Sequence, residues 1–156
     1  MAASKKNANA AAKKAPPASK TVIFTRHRQR RLRVDRLKLV RLASLALAEL
    51  GSTLDALGLI LVNDARMADY NERFHQVAGP TDILTFGYEG MGELIISTDH
   101  AIANAHRFRT TPEREVALYV IHGILHLHGY NDQTPAQRHR MRGAERRFMA
   151  QFFAGG

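Results

Sequence analysis

The chain has 156 residues, 45% of them apolar, which suits one domain built on one core. It contains no cysteine, so disulfides and thiolate metal ligands are excluded and only histidine and carboxylate side chains remain to hold a metal. The formal charge is +9. No apolar run is long enough to cross a bilayer and the N-terminus lacks a secretory apolar core, so a soluble cytoplasmic protein with an affinity for polyanions is expected.

Residues 1–20 are alanine, lysine, asparagine and proline without periodic apolar positions, and they hold five lysines and no acid. Such a segment cannot bury enough surface to offset its ordering entropy, so it reads as a disordered basic tail before a domain at 21–156. Removing those five charges from +9 leaves +4 for the domain.

Thr21 to Arg26 reads as a short strand around Val22, Ile23 and Phe24, and a basic cluster from His27 to Arg33 follows it. Those guanidinium groups suit a solvated surface or a grip on phosphates. Asp35 is a candidate N-cap for a helix whose apolar stripe runs from Leu37 to Leu50 and ends at Gly51. Leu57 to Val62 is continuous and apolar, as in a buried strand, and Asn63 and Asp64 open a polar helix to about His75. Gly79 and Pro80 punctuate the chain. Asp82 to Phe86 and Gly92 to Ser97 then form an antiparallel hairpin about a loop at Gly87 to Gly90.

Thr98 or Asp99 caps a helix to about Arg107, and Thr111-Pro112-Glu113 starts the next, with proline in its first turn. Thr134-Pro135 starts the last helix, which turns Met141, Ala144, Phe148 and Phe152 inward. The whole is an α+β domain, with about five helices on one small mixed sheet.

The informative stretch is Val116 to Asp132, VALYVIHGILHLHGYND. Its first twelve residues are nearly all apolar, as in a buried helix, yet His122 and His126 stand four apart on one face, where two imidazoles can hold one ion. Gly129 can reverse the chain past the helix end and return Asp132 toward them. Two nitrogens and one oxygen leave a tetrahedral ion one open position, the arrangement of a catalytic rather than a structural zinc, one per chain. The spacing matches the zincin pattern H-E-x-x-H-x-x-G-x-x-H in both histidines and the glycine, with Asp132 at the last ligand position. Gly123 stands where such peptidases carry their glutamate base, so the cradle is present without that proton acceptor.

His122, Gly123, Leu125, His126, Leu127, Gly129 and Tyr130 resemble the motif H-G-x-L-H-L-x-G-Y-D-H of the YbeY endoribonucleases, and PTDILTF at Pro80 to Phe86 with MGELIIS at Met91 to Ser97 resembles a second block of that family. The resemblance spans about Val22 to Phe153. It implies a mainly four-stranded sheet, a zincin-like metal site at the C-terminal end of the fourth helix, and cleavage of single-stranded RNA. In that family the activity serves rRNA maturation, at the 3′ end of 16S rRNA, and ribosome quality control beside the small ribosomal subunit. Two positions depart from the pattern. Asn131 and Asp132 replace the commoner Asp-His, exchanging a nitrogen ligand for oxygen, and His75 closes the Asn71 stretch where an arginine is usual. His75 is therefore a candidate catalytic partner for phosphate.

His128 is expected to face away from the ligand pair, and Glu115 is read as a first-turn carboxylate or a partner to an imidazole, with the first preferred. Asn71, Thr81, Asp82 and Thr85 have turn chemistry as their simplest role. Asp82 and Glu93 are the candidates to move protons in place of the absent glutamate. The alternatives to a nuclease are a zincin-like metallopeptidase and a non-enzymatic ribosome-assembly factor with a structural zinc.

Overall fold

A computed structural model describes residues 20–75 and 82–154. The expected tail, apart from Lys20, lies outside the described residues, as do Gly79, Pro80 and Thr81. The elements run β1 (Val22–Arg28), α1 (Arg36–Glu49), β2 (Ala56–Val62), α2 (Asp64–His75), β3 (Ile83–Tyr88), β4 (Met91–Ser97), α3 (Thr98–Phe108), α4 (Pro112–Leu127) and α5 (Pro135–Phe153). Among the described residues no helix is long and apolar enough to cross a membrane.

The four strands form one mixed sheet in the order β1-β2-β4-β3. β1, β2 and β4 are parallel, and β3 runs antiparallel to β4 and forms an edge. The α+β architecture expected from the pattern is thus present. β2 is apolar on both faces because both are covered, and only its first residue escapes full burial. Leu57, Leu59 and Leu61 join Leu94 and Ile96 in the larger core beneath α1 and α4. Ile60 and Val62 join Ile95, Leu84 and Met67 of α2 in a smaller core on the opposite face.

Three boundaries differ from the sequence reading. β1 continues to Arg28, so the basic cluster begins inside the strand, held there by the ladder pairing His27 with Leu61 and Arg28 with Val62. Gly87 and Tyr88 belong to β3, and the hairpin turn is Glu89-Gly90, with Gly90 at φ +70°. Gly87 faces α4, where a Cβ would stand in ordinary contact with Leu127 at 3.4 Å. The cap of α3 is Ser97 rather than Thr98 or Asp99. Its backbone is still extended and its hydroxyl accepts from the His100 N–H at 3.1 Å, whereas the Thr98 hydroxyl donates to the Val62 carbonyl and Asp99 accepts from the Asp64 N–H.

α4 starts where Thr111 caps it, accepting from the Arg114 N–H at 3.2 Å with Pro112 in the first turn. It ends in a Schellman motif: the Tyr130 N–H donates to the Leu125 carbonyl at 3.0 Å and the Gly129 N–H to that of His126 at 3.2 Å. Gly129 takes φ +91°, the reversal expected of it. Gly123 is the point of closest approach to the sheet. A Cβ there would sit 2.6 Å from Leu94 Cδ2 and 2.8 Å from Ile83 Cδ1.

This contact gives a stability prediction with an internal control. Gly143 lies mid-helix in α5, where a Cβ would meet nothing within 4 Å, so Gly143→Ala should gain about 1 kcal/mol of helix propensity and raise Tm by about 2–4 °C. Gly123→Ala gains the same propensity but overpacks the interface at a cost of about 1–3 kcal/mol, so its Tm should stay level or fall. A Gly123→Ala protein stabilised as much as Gly143→Ala would refute the close approach.

Candidate metal centre

α4 presents His122 and His126 one turn apart at the margin of its buried surface, and the reversal at Gly129 brings Asp132 to them. His122 Nε2 and His126 Nε2 are 3.0 Å apart. Asp132 Oδ2 lies 3.7 Å from the first and 3.5 Å from the second. Ligands at zinc–nitrogen and zinc–oxygen lengths stand about 3.3 Å apart along the edges of a tetrahedron, so the three separations bracket what one ion requires. The three residues are one group of ligand atoms within 4.8 Å of one another. The donor set and its geometry fit a divalent ion with a fourth position toward solvent, and the Asp132 side chain, 44% exposed, marks the open side.

Tautomers follow from the partners. His122 Nδ1 donates to Glu145 Oε1 at 2.5 Å, and because a carboxylate only accepts, the Nε2 lone pair is left facing the centre. Burial pulls the His122 pKa down, but the hydrogen bond and charge of Glu145, with the charges of Asp132 and Asp82, outweigh it and leave the pKa above 6.5. The same negative charges favour a bound cation. His128 is turned away, as its position beyond His126 suggests: Nδ1 donates to the Ile124 carbonyl at 2.6 Å and Nε2 accepts from the Ser52 hydroxyl at 2.7 Å.

The centre opens into a cleft of about 610 Å³ between α4 and the edge strand β3, walled by Asp82, Thr85 and Gly87 among others. Asp82 therefore lies in the cleft, with Oδ1 accepting from the Ile83 N–H at 2.8 Å. Glu93 does not reach it. Side chains alternate along β4, and Leu94 and Ile96 face α4, so Glu93 projects with Ile95 to the opposite face. Asn71 is buried on α2, the helix that carries Met67 over that opposite face. His75 ends α2, and its side chain lies outside the described residues. Glu115 is buried and accepts from the Thr110 hydroxyl at 2.6 Å, so it is not the partner of an imidazole.

That partner is Glu145, which the sequence reading missed. One signal pointed to it: it is the only acid in an arginine-rich helix, four residues after Met141 and next to Ala144 on the inward stripe. Gly123, pressed on Leu94 and Ile83, leaves no space for a side chain, so no general base can be supplied from that position.

Residues 24–153 match the family model described as Endoribonuclease YbeY. The chain belongs to the YbeY family. An Endoribonuclease YbeY of Chlorobium phaeovibrioides is 35% identical over 133 residues, covering 83% of this chain and 90% of that protein. One of Rhodopirellula baltica is 37% identical over 121 residues, 73% of this chain and 62% of the longer relative. The solution structure of a Thermotoga maritima protein is similar with a TM-score of 0.59 at 25% identity, over 85% of this chain and 91% of that one.

The geometry makes the ligand set testable. Wild-type protein loaded with zinc and dialysed should hold about one ion per chain, and His126→Ala should hold almost none. Asp132→His should retain the ion and Asp132→Ala should weaken it. Glu145→Gln, which loses the charge but keeps an acceptor for His122, should weaken zinc by about 10–100-fold in a chelator competition. Full occupancy in His126→Ala by elemental analysis would rule out this set.

Proposed function

We infer that the protein is a zinc-dependent, single-strand-specific endoribonuclease acting in the cytoplasm on ribosomal RNA, within a domain that spans 21–156. The observation that supports this most is the spacing of His122, His126 and Asp132 beside an open cleft, in a chain of a family named for endoribonuclease activity. A bound zinc ion supplies Lewis acidity toward a phosphoryl oxygen and toward water.

The residues divide the remaining work. His122 and His126 would hold the ion through Nε2 and Asp132 through its carboxylate, and Glu145 fixes the His122 ring and keeps its proton on Nδ1. Asp82 is assigned as the group that takes the proton from the attacking hydroxyl, because its carboxylate walls the cleft and is not one of the three ligand groups. Asp82 Oδ1 accepts the turn bond from the Ile83 N–H. Asp82→Asn preserves that acceptor and removes only the basicity, so kcat should fall about 10²–10⁴-fold with zinc content unchanged. Retained turnover in Asp82→Asn would remove it as the base.

Single-stranded RNA should be cut in a chelator-sensitive reaction while casein stays intact. Comparable digestion of casein would favour the metallopeptidase alternative, and a zinc-loaded protein inert toward both would favour the assembly factor. His75 stands where the YbeY pattern usually has an arginine, a permanently charged fork for phosphate. His75→Arg should then raise RNA cleavage at pH 7.5 several-fold. An unchanged rate would take residue 75 out of the site.

A further inference from the structure

After residue 20 the basic side chains are densest in two stretches, from Arg26 to Arg41 and along α5. The first is partly neutralised in place, since Arg31 pairs with Asp99 at 3.2 Å and Lys38 with Glu113 at 3.4 Å. α5 carries five arginines against one glutamate, a net +4 that equals the net charge of all residues after the tail. Among the described residues no arginine of α5 pairs with a carboxylate. Guanidinium groups left without carboxylate partners are available to an anionic one.

Their arrangement is linear. Arg138, Arg142 and Arg146 follow at four-residue steps on one helical face, about 6 Å apart along the axis. They wall a groove of about 690 Å³ between α5 and α4, with Arg114 on the facing side. The two carboxylates in this groove are engaged, Glu115 by the Thr110 hydroxyl and Glu145 by His122. One end abuts the metal centre: Arg138 donates to the Gln133 carbonyl at 2.9 Å and to that of Asp132 at 3.4 Å, and Glu145 is the wall the groove shares with His122.

We propose that the α4–α5 groove is a docking track for the sugar-phosphate backbone of single-stranded RNA, along which Arg142 and Arg146 hold the strand that continues from the cleft. This rests on the endoribonuclease reading. Guanidinium forks match phosphate oxygens, and Arg138, Arg142 and Arg146 line the groove in a row, so the contacts run to the backbone, which carries no sequence information.

The test uses the full-length zinc-loaded protein and a labelled sixteen-residue oligouridylate, comparing wild type with Arg142→Gln/Arg146→Gln. Both positions are exposed and glutamine is a good helix former, so zinc content and Tm serve as checks on the fold. Loss of two phosphate contacts should flatten the salt dependence by about 1.4 in slope and weaken binding roughly 10–30-fold at 0.1 M salt. In cleavage, the loss should fall on KM. Arg41→Gln/Arg66→Gln removes the same charge from α1 and α2 and should change affinity less than about threefold, a bound set by the screening of distant charges. An unchanged slope in the α5 variant, or an equal loss in the α1/α2 variant, overturns the groove. If the α5 variant loses binding as expected but wild type cuts no RNA, the groove stands and the endoribonuclease reading falls. If wild type cuts RNA and the α5 variant matches it in KM and slope, the groove alone falls.

Discussion

The close approach of α4 to the β3-β4 hairpin governs the rest of the molecule. Gly123 brings the helix backbone down on Leu94 and Ile83, and a turn later Leu127 lies over Gly87 and Gly92, where a Cβ on Gly92 would stand 2.6 Å from Leu127 Cδ1. Small residues on both partners therefore set the depth of the contact. Because positions 123 and 127 face the hairpin, 122 and 126 are rotated about 100° away, which puts both imidazoles at the border between core and cleft. A side chain at 123 would have to displace the methyl groups of Leu94 and Ile83. The residue that a peptidase would use as its base is thus occupied by packing.

A second helix completes what α4 begins. α5 is capped by a reciprocal box, in which the Gln137 N–H donates to the Thr134 hydroxyl and the Gln137 side chain accepts from the Thr134 N–H, each at 3.1 Å. From that fixed start, Met141, Ala144 and Phe148 seat the helix in the larger core and deliver Glu145 to His122. Glu145 thereby meets His122 while Arg138, Arg142 and Arg146 line the neighbouring groove. One element both fixes the His122 ring and carries five arginines.

The local parts of this arrangement were legible in the sequence and the non-local parts were not. His122 and His126 share a face because the helical period is fixed, and Asp132 returns because Gly129 can take a positive φ, so the triad was readable within eleven residues. Glu145 lies 23 residues from His122 and meets it only after α5 has docked, which no short-range pattern encodes. Asp82 and Glu93 looked equivalent as carboxylates of the hairpin. Strand alternation puts Glu93 opposite Leu94 in either case, but which face α4 covers is a tertiary fact. Gly87 read as loop because glycine is weak in strands, whereas here the antiparallel ladder pairs it with Gly92.

The most direct measurement is an anomalous difference map, collected at the zinc edge from crystals of the zinc-loaded protein. One peak per chain is expected, within about 2.0–2.2 Å of the Nε2 atoms of His122 and His126 and of the Asp132 carboxylate, with a fourth position open to the cleft. A peak held elsewhere, or one closed by a fourth protein side chain, would contradict this centre.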